Sequence, residues 1–422
     1  MSNDEPGFST LSIHAGTRPD PTTGARVVPF GRVAGDDVDH AASLARLLNF
    51  GDVGLRFADP TTAALEERVA ALEGAPAALA VASGHAAQAI VLHTLLQPGD
   101  EFVVALKPRG GLASPFDHAF ENFGWRAKWA DPDDLDALRG ALGEKTRAIF
   151  VESIASSGGG VADLEAIAEI ARGARVPLIV DNTLATPYLV RPIEHGADVV
   201  VHSATKQLGG HGESMGGIVV DGGAFEWAGD PRYPMLSAPR PEYGGLTLAE
   251  SFGNFAFAVA CRALGLRDLG PAISPFSAFL ALSGIETLAL RMRRHCDSAL
   301  AIAERLAAHP AASWVSYAGL PGGPSHELAR RYCPKGAGGV LTFGVKGGYA
   351  AGAALPRKLR LFSDVADLGD ARSVAIHPAS TTHRRLTDEQ RLAAGAGPDA
   401  VRLSIGLEDV ADLIADLEQA LG

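Results

Sequence analysis

The sequence predicts an α/β fold built around a mostly parallel central sheet. From about residue 77 to residue 220, short apolar runs alternate with amphipathic helical patterns. Most of the runs are continuously apolar, as in Pro177–Val180, which is typical of strands covered on both faces. Alternation of strands with helices implies crossover connections, and such connections join parallel strands.

A helix is predicted to begin before the sheet, at Pro60. Asp59 is a favourable N-cap residue, and proline is favoured at the first helical position. Gly74 is a suitable residue for its C-terminal end. Three apolar residues share one face of this helix: Leu65, Val69 and Leu72.

The predicted strands of the sheet are short, and several end in polar residues. They are Ala77–Ala82, Phe102–Ala105, Ala148–Val151, Pro177–Val180, Asp198–Val201 and Gly217–Val220. Binding sites in parallel sheets lie beyond the carboxyl ends of the strands. Those ends are Ser83-Gly84, Glu152-Ser153, Asp181-Asn182 and His202-Ser203.

A second, smaller α/β unit is predicted after about residue 275. A long helical stretch precedes strand-like runs at 338–344 and 401–405, and a terminal helix is predicted over Asp409–Leu421. Three segments are therefore expected. They are an N-terminal arm and helix (1–75), a central α/β domain (76–275) and a C-terminal α/β domain (276–422).

The composition of the chain excludes several classes of protein and function. The chain has 422 residues, of which 47% are hydrophobic and 20% charged, so wholesale disorder is excluded. A formal net charge of -12 argues against a general nucleic-acid or membrane-surface binder. The three cysteines are widely spaced, which supports neither a disulfide framework nor a metal site. The acidic, polar N-terminus resembles no secretory signal, so we expect a cytoplasmic protein.

The strongest local signal for chemistry is the segment His202–Gly212. Lys206 follows a buried strand, Ser203 and Thr205 precede it, and a glycine-rich turn follows. A lysine in a poorly solvated site can hold a carbonyl cofactor through its amine, while nearby hydroxyls bind a phosphate. The segment alone is equally compatible with a solvated lysine in a glycine-rich loop.

Two other strand ends add to this signal. Asp181 could pair with a protonated pyridine nitrogen, as in enzymes that use pyridoxal phosphate (PLP), or it could cap the next helix. Ser83-Gly84-His85 opens a helix, where backbone N–H groups form an anion site, although a simple capped helix has the same pattern. The Lys206 segment, Asp181 and Ser83-Gly84-His85 are much less expected to occur together by chance than any one of them alone.

These segments resemble the cysteine/methionine-metabolism family of PLP enzymes, and within it the O-acetylhomoserine sulfhydrylases. The resemblance runs along nearly the whole chain. Its segments are Thr10–Gly16, Pro19–Ala25, Ala80–Gln88, Asp181–Leu189, Arg191–Asp198, His202–Gly212, Leu269–Pro275, Ile376–His383 and Val401–Gly406.

The resemblance implies an aspartate-aminotransferase-like fold and a γ-replacement reaction in methionine and homocysteine biosynthesis, in which sulfide or a thiol replaces the acyl group of an O-acylated homoserine. Lys206 would bind PLP covalently and move the α-proton, and Asp181 would pair with the pyridine nitrogen. Arg402 would bind the substrate carboxylate, with Ser373 beside it. The implied assembly is a homotetramer of two dimers. The phosphate would be held by Ser83, Gly84, His85, Ser203, Thr205 and Arg56 of a neighbouring subunit.

The sequence also departs from the family pattern. Gly54 and Arg109 stand where the family has tyrosines, although Arg109 could stack its guanidinium plane on the cofactor ring. Ser156 stands where an asparagine usually contacts the cofactor's phenolic oxygen. Two alternatives therefore stay open: a PLP lyase or transferase that acts on another amino acid, and a non-catalytic homologue.

Two further groups of residues are predicted to be structural. His377 and His383 lack the carboxylates or cysteines that would complete a metal site. The basic run Arg291–Arg294 is interpreted as a solvated helix face rather than a nucleic-acid patch.

Overall fold

The computed structural model describes residues 6–19, 28, 59–106 and 115–422. Gly54, Arg56 and Arg109 lie outside these residues, so their predicted roles are not addressed by the structure. Within the described chain, no helix has the length and apolar character that crossing a membrane requires.

The described strands form a seven-stranded sheet and a four-stranded sheet. In the larger sheet the order is β1-β7-β6-β5-β4-β2-β3, and in the smaller one it is β10-β11-β9-β8. The strands are β1 (Ala77–Val81), β2 (Glu101–Ala105), β3 (Arg126–Ala130), β4 (Thr146–Glu152), β5 (Leu178–Asp181), β6 (Val199–Ser203), β7 (Gly217–Asp221), β8 (Ala312–Ser316), β9 (Val340–Val345), β10 (Val374–Ile376) and β11 (Ala400–Ser404).

The α-helices of the described residues vary from one turn to 20 residues. They are Phe8–His14, Pro60–Glu73, Gly84–Leu95, Leu135–Ala141, Leu164–Ala174, Thr186–Leu189, Pro234–Ser237, Leu248–Phe252, Ala256–Ala260, Pro275–Glu286, Leu288–Ala307, His326–Tyr332, Gly348–Lys358, Asp388–Ala393 and Val410–Leu421.

Contacts divide the chain into two compact units. The first comprises the described residues up to Leu96, with Asp198–Thr205 and Glu213–Glu286. In it, β7 pairs antiparallel with both β1 and β6, and the strands are buried at nearly every position. The helix Gly84–Leu95 packs on this group of strands.

The second unit comprises the described residues of Gln97–Ala197, with Lys206–Gly212 and Thr287–Gly422. Its strands β3, β2, β4 and β5 pair in parallel, whereas the smaller sheet is antiparallel. The two units interleave along the sequence, whereas the three predicted segments are contiguous. The boundaries at 75/76 and 275/276 stay a prediction.

The predicted fold class is confirmed: the protein is α/β, with a mostly parallel central sheet and a smaller antiparallel one. Sequence patterns did not predict β3, β8 or β10. The first two are partly exposed, and β10 has only three residues, so none presents a continuous apolar run of useful length.

The helix Pro60–Glu73 begins and ends as predicted. Asp59 accepts hydrogen bonds from the N–H groups of Thr61 and Thr62, each at 3.0 Å. Gly74 ends the helix with a φ of 73°, a left-handed conformation that glycine adopts without steric cost.

Candidate functional site

The helix Gly84–Leu95 begins directly after β1 and presents its N-terminus at the strand end. Ser83 is its N-cap, and Ser83 Oγ accepts a hydrogen bond from Ala86 N at 3.1 Å. His85, in the first turn, is exposed. The remaining N–H groups of that turn have no partner within the helix and carry partial positive charge, so they can bind an anion.

Gly84 lies against the end of β6. A Cβ placed on Gly84 would lie 2.8 Å from Ser203 Cβ, closer than such atoms approach one another. A glycine is therefore required here, and the structure brings the predicted residues Ser83, Gly84 and Ser203 together.

Thr205 continues this group after β6. Its Oγ1 accepts a hydrogen bond from Gly216 N at 3.2 Å, which fixes the side chain beside the start of β7. We call Ser83, Gly84, Ser203 and Thr205 the anion cradle. Its donors and hydroxyls, together with a position at which only a hydrogen atom fits, suit the phosphate group of PLP.

A buried polar pair lies behind the anion cradle. His202 Nε2 and Glu73 Oε1 are 2.6 Å apart, and both side chains are fully buried. Glu73 is the last residue of the helix Pro60–Glu73, and His202 precedes Ser203 in β6. The pair therefore ties a helix end to the strand that carries the cradle hydroxyl.

Lys206 interrupts the helical turn that follows β6. Its φ and ψ are -86° and -135°, which are not helical, within the segment Ala204–Leu208. Interrupted turns leave carbonyl groups without donors. The Arg291 guanidinium supplies them, because it donates to Gln207 O at 2.7 Å and Leu208 O at 3.1 Å.

This contact corrects the interpretation of Arg291–Arg294 as a solvated helix face. Arg291 is only 4% exposed, and its side chain supports the segment that carries Lys206. Burial lowers the pKa of the Arg291 guanidinium to about 10, so the group stays charged at neutral pH. A basic run gives no indication of which residue turns inward, because that depends on how the helix is rotated against its neighbours.

The Lys206 amine forms an ion pair with the Asp367 carboxylate. Asp367 lies between the helix Gly348–Lys358 and β10, and its Oδ1 also accepts the Leu368 N–H at 2.8 Å. The two side chains are 26% and 31% exposed, so the pair can be reached from solvent.

Asp181 and Glu152 are cross-strand neighbours at the carboxyl ends of β5 and β4. Asp181 is buried, and its Oδ1 accepts the Thr183 N–H at 3.0 Å. Glu152 accepts hydrogen bonds from Ser156 N at 2.8 Å and Ser156 Oγ at 3.1 Å. Enclosure by the surrounding protein, followed by the charge of Asp181, raises the pKa of Glu152 to about 7 against the opposing effects of Ser156 and Arg402.

Arg402 lies in β11, and its Nη1 donates to Ser156 O at 3.4 Å. Burial lowers the pKa of Arg402 to about 10, while the charges of Glu152 and Asp367 act in the opposite direction. The guanidinium is therefore charged at neutral pH and lies in the field of two carboxyl groups. We call Lys206, Asp367, Arg402, Glu152 and Asp181 the charged cluster.

Ser373, predicted to lie beside the bound carboxylate, is fully buried. Its Oγ donates to Glu408 Oε2 at 2.9 Å and accepts the Gly406 N–H at 2.8 Å. These contacts hold the turn that follows β11. A substrate contact of Ser373 stays a prediction.

Sequence patterns missed Asp367 and Arg291, and they named Glu152 only as a strand end. Asp367 lies in a loop with no periodicity, and its partner is 161 residues away. A carboxylate at the end of a buried strand was the one signal for Glu152, and it could not reveal the raised pKa.

Comparisons with known proteins identify the family of this chain. A family model described as Cys/Met metabolism PLP-dependent enzyme matches residues 9–422. An O-acetyl-L-homoserine sulfhydrylase from Thermus thermophilus is 47% identical, covering 98% of this chain and 99% of its own. An O-acetyl-L-homoserine sulfhydrylase from Leptospira meyeri is 44% identical, and the match covers 98% of this chain and 96% of the relative.

Solved structures extend the comparison. A candidate O-acetylhomoserine (thiol)-lyase from Campylobacter jejuni, solved with a pyridoxyl-lysine phosphate, is 36% identical with a TM-score of 0.93, covering 98% of this chain and 99% of its own. MetB from Corynebacterium glutamicum is 33% identical with a TM-score of 0.82, and the match covers 100% of this chain and 99% of MetB. This chain is therefore a PLP-dependent enzyme and belongs to the Cys/Met metabolism family.

Proposed function

We propose that the enzyme catalyses γ-replacement on an O-acylated homoserine, with sulfide or a thiol as the incoming group. The observation that carries this proposal is the 44–47% identity, over nearly the whole chain, to sulfhydrylases that act on O-acetyl-L-homoserine by name. The reaction places the protein in methionine and homocysteine biosynthesis.

The residues of the site suit each requirement of this reaction. PLP, when bound, withdraws electrons from the substrate Cα and so makes the α-proton acidic. Lys206 takes that proton and returns it, Asp181 pairs with the pyridine nitrogen, and the anion cradle, with exposed His85 at its helix N-terminus, holds the phosphate. Arg402 binds the α-carboxylate through its planar fork. At Cγ a C–O bond breaks, the acyl group leaves as a carboxylate, and a C–S bond forms.

The direct test supplies the purified holoenzyme with O-acetyl-L-homoserine and sulfide. We expect homocysteine and acetate in equal amounts, with no product from a Lys206→Ala variant. Absence of homocysteine, from a protein that carries PLP on Lys206, would overturn the proposed reaction.

A second candidate is a lyase or transferase that acts on another amino acid, because Gly54 and Arg109 stand where the family resemblance implies tyrosines. A phenol can transfer protons, which typically contributes about 10²–10⁴-fold in rate, whereas a guanidinium cannot act as a base at neutral pH. We therefore expect sulfhydrylase turnover about 10²-fold below that of relatives with both tyrosines. Gly54→Tyr combined with Arg109→Tyr should raise it. A different amino acid that turns over faster than O-acetylhomoserine would favour this second candidate.

Further proposals concern the oligomeric state of the enzyme, its cellular compartment and its domains. Arg56 is proposed to reach the phosphate of a neighbouring subunit, which requires at least a dimer, and a homotetramer is the proposed state. A fully active, cofactor-loaded monomer in sedimentation experiments would contradict it. The proposed location is the cytoplasm, and the three predicted segments are proposed as domains.

A further inference from the structure

Thr186 has a backbone conformation that its own side chain disfavours. Its φ is +56°, in the left-handed region, and the residue is fully buried. A β-branched residue is an outlier in this region and persists only where the surrounding structure holds it there. Thr186 begins the one-turn helix Thr186–Leu189, in the segment that follows Asp181 at the end of β5. Backbone strain of this kind is concentrated at functional sites.

The Asn182 amide closes this segment into a loop. Asn182 is fully buried, and its Nδ2 donates to Val190 O at 3.0 Å. Thr186 N donates to Asn182 O at 2.8 Å, so one residue binds both the middle and the end of the loop. The left-handed turn at Thr186 brings the chain back toward Asn182, and these buried hydrogen bonds offset its cost.

Ser153, directly after β4, fixes the start of the loop against the sheet. Ser153 N donates to Asp181 O at 3.0 Å. Ser153 Oγ donates to Asn182 Oδ1 at 2.8 Å and lies 3.3 Å from Asp181 O. The two polar atoms of the Asn182 amide are therefore both bonded within the protein, the oxygen toward β4 and the nitrogen toward Val190.

The Asp181 side chain needs such support. Glu152 is its cross-strand neighbour in β4, and like charges that stand opposite one another repel. Asp181 Oδ1 accepts the Thr183 N–H at 3.0 Å, so the direction of the carboxylate depends on the backbone of the loop. The bonds of Ser153 and Asn182 hold that backbone on both sides of Asp181.

We propose that Asn182 is a positioning residue that holds the Asp181 carboxylate in the direction of the pyridine nitrogen of PLP. Since its amide is buried and bonded on both sides, Asn182 acts through Asp181 rather than on the substrate. The inference deepens the proposed function, because it rests on the pairing of Asp181 with that nitrogen. Without the Asn182 amide the carboxylate gains freedom and this pairing weakens, whereas the anion cradle keeps its contacts with the phosphate.

The test compares PLP with its 1-deaza analogue, in which a C–H group replaces the pyridine nitrogen. The bound cofactor is removed from the full-length enzyme with hydroxylamine, and the dissociation constants of PLP and the analogue are then measured. Asn182→Ala should weaken PLP binding about tenfold, the size of a charged hydrogen bond, and leave binding of the analogue unchanged. Ser153→Ala removes only a hydroxyl donor and should weaken PLP binding severalfold with the same selectivity.

Asn122→Ala is the matched control, because Asn122 is an exposed asparagine whose Nδ2 donates to His118 O at 3.5 Å. It should change neither constant. Equal weakening of PLP and the analogue by Asn182→Ala would indicate that Asn182 only supports the fold, and it would overturn the proposal. Unchanged PLP binding would overturn it as well. If Asn182→Ala does not fold, Ser153→Ala decides by the same two criteria.

The proposed function and the positioning role fail in different ways. Asp181→Asn should weaken PLP binding and spare the analogue. If it weakens both equally, the pairing of Asp181 is wrong and the role of Asn182 falls with it. If Asp181→Asn is selective and Asn182→Ala is not, only the positioning role is lost. A selective loss in Asn182→Ala, from an enzyme that forms no homocysteine, retains the positioning role and removes the sulfhydrylase assignment.

Discussion

The anion cradle and the charged cluster are built in different ways. The cradle consists of a helix N-terminus, two hydroxyl residues near the end of β6 and a glycine at which a Cβ would lie 2.8 Å from Ser203 Cβ. The charged cluster consists of ionisable side chains from β4, β5, β11 and two loops. Close packing and backbone N–H donors therefore define the anion cradle, whereas interactions between charged groups define the charged cluster.

This difference has a practical consequence. A region defined by close packing is sensitive to a single methyl group and insensitive to pH. A region defined by charges tolerates changes of size but responds to pH and to neutralising substitutions. Substitutions in the two regions should therefore separate cofactor affinity from substrate recognition.

The largest effect is expected from Lys206→Ala. Loss of the amine removes both covalent attachment of PLP and the group that moves the α-proton, so turnover should fall by about 10³-fold or more. Borohydride reduction followed by mass spectrometry should find no pyridoxyl adduct at position 206. Lys346→Ala, at an exposed position, is the control and should retain both properties. A stable adduct in the Lys206→Ala variant would show that another lysine carries PLP.

Arg402→Lys should affect substrate recognition alone. The charge remains, but the planar fork is lost, so the KM for O-acetylhomoserine should rise about tenfold to a hundredfold. PLP affinity should be unchanged, because the cradle is not touched. Arg330→Lys, which alters an exposed pair with Glu327, should leave the KM unchanged. An unchanged KM in Arg402→Lys would remove Arg402 from the substrate site.

Gly84→Ala tests the cradle. The added methyl group meets Ser203 Cβ and Cα at 2.8 and 3.1 Å, so the strand end or the helix must shift. Overpacking of this kind typically costs about 1–3 kcal/mol, and we expect PLP affinity to fall about tenfold at every pH. Gly140→Ala, where no atom lies within 4 Å of the added Cβ, is the control. Undiminished PLP affinity in Gly84→Ala would mean that the phosphate binds elsewhere.

The smallest expected effect is a pH dependence of the KM that arises from the ionisation of Glu152. Its pKa of about 7 means that it ionises between about pH 6 and pH 8. The negative charge then opposes a carboxylate on Arg402, so the wild-type KM should rise severalfold through this range. Glu152→Gln cannot ionise and should lack this rise, whereas Glu327→Gln, at an exposed position, should keep it. A rise that persists in Glu152→Gln would assign it to another group.

The raised pKa of Glu152 also makes the free energy of unfolding depend on pH. The folded-state pKa of Glu152 lies above its ordinary value of 4.5, so protonation favours the folded state. Stability from this group is present below about pH 4.5 and is lost as the pH rises through about 7. Chemical denaturation of the PLP-free protein should therefore show a smaller loss of unfolding free energy over this range in Glu152→Gln.

The sequence by itself determined the fold class, most strand positions and the residues of the anion cradle. Those signals are local: Ser83 precedes a helix, Thr205 follows β6, and the buried strands are continuous apolar runs that need no knowledge of their partners. Motifs spanning the chain also indicated the family, which the comparisons confirm.

Lys206, Asp181 and Arg402 of the charged cluster were predicted from the sequence, whereas only the tertiary structure decided that Asp367 pairs with Lys206 and that Glu152 lies beside Asp181. Asp367 meets Lys206 across 161 residues, and Arg402 meets Ser156 across 246. Sequence spacing carries no information about such pairs, because they depend on how strands order in the sheets and how loops pack. The pKa of Glu152 follows from the same cause: a carboxyl group acquires its acidity from burial and from neighbouring charges, and both exist only in the folded chain.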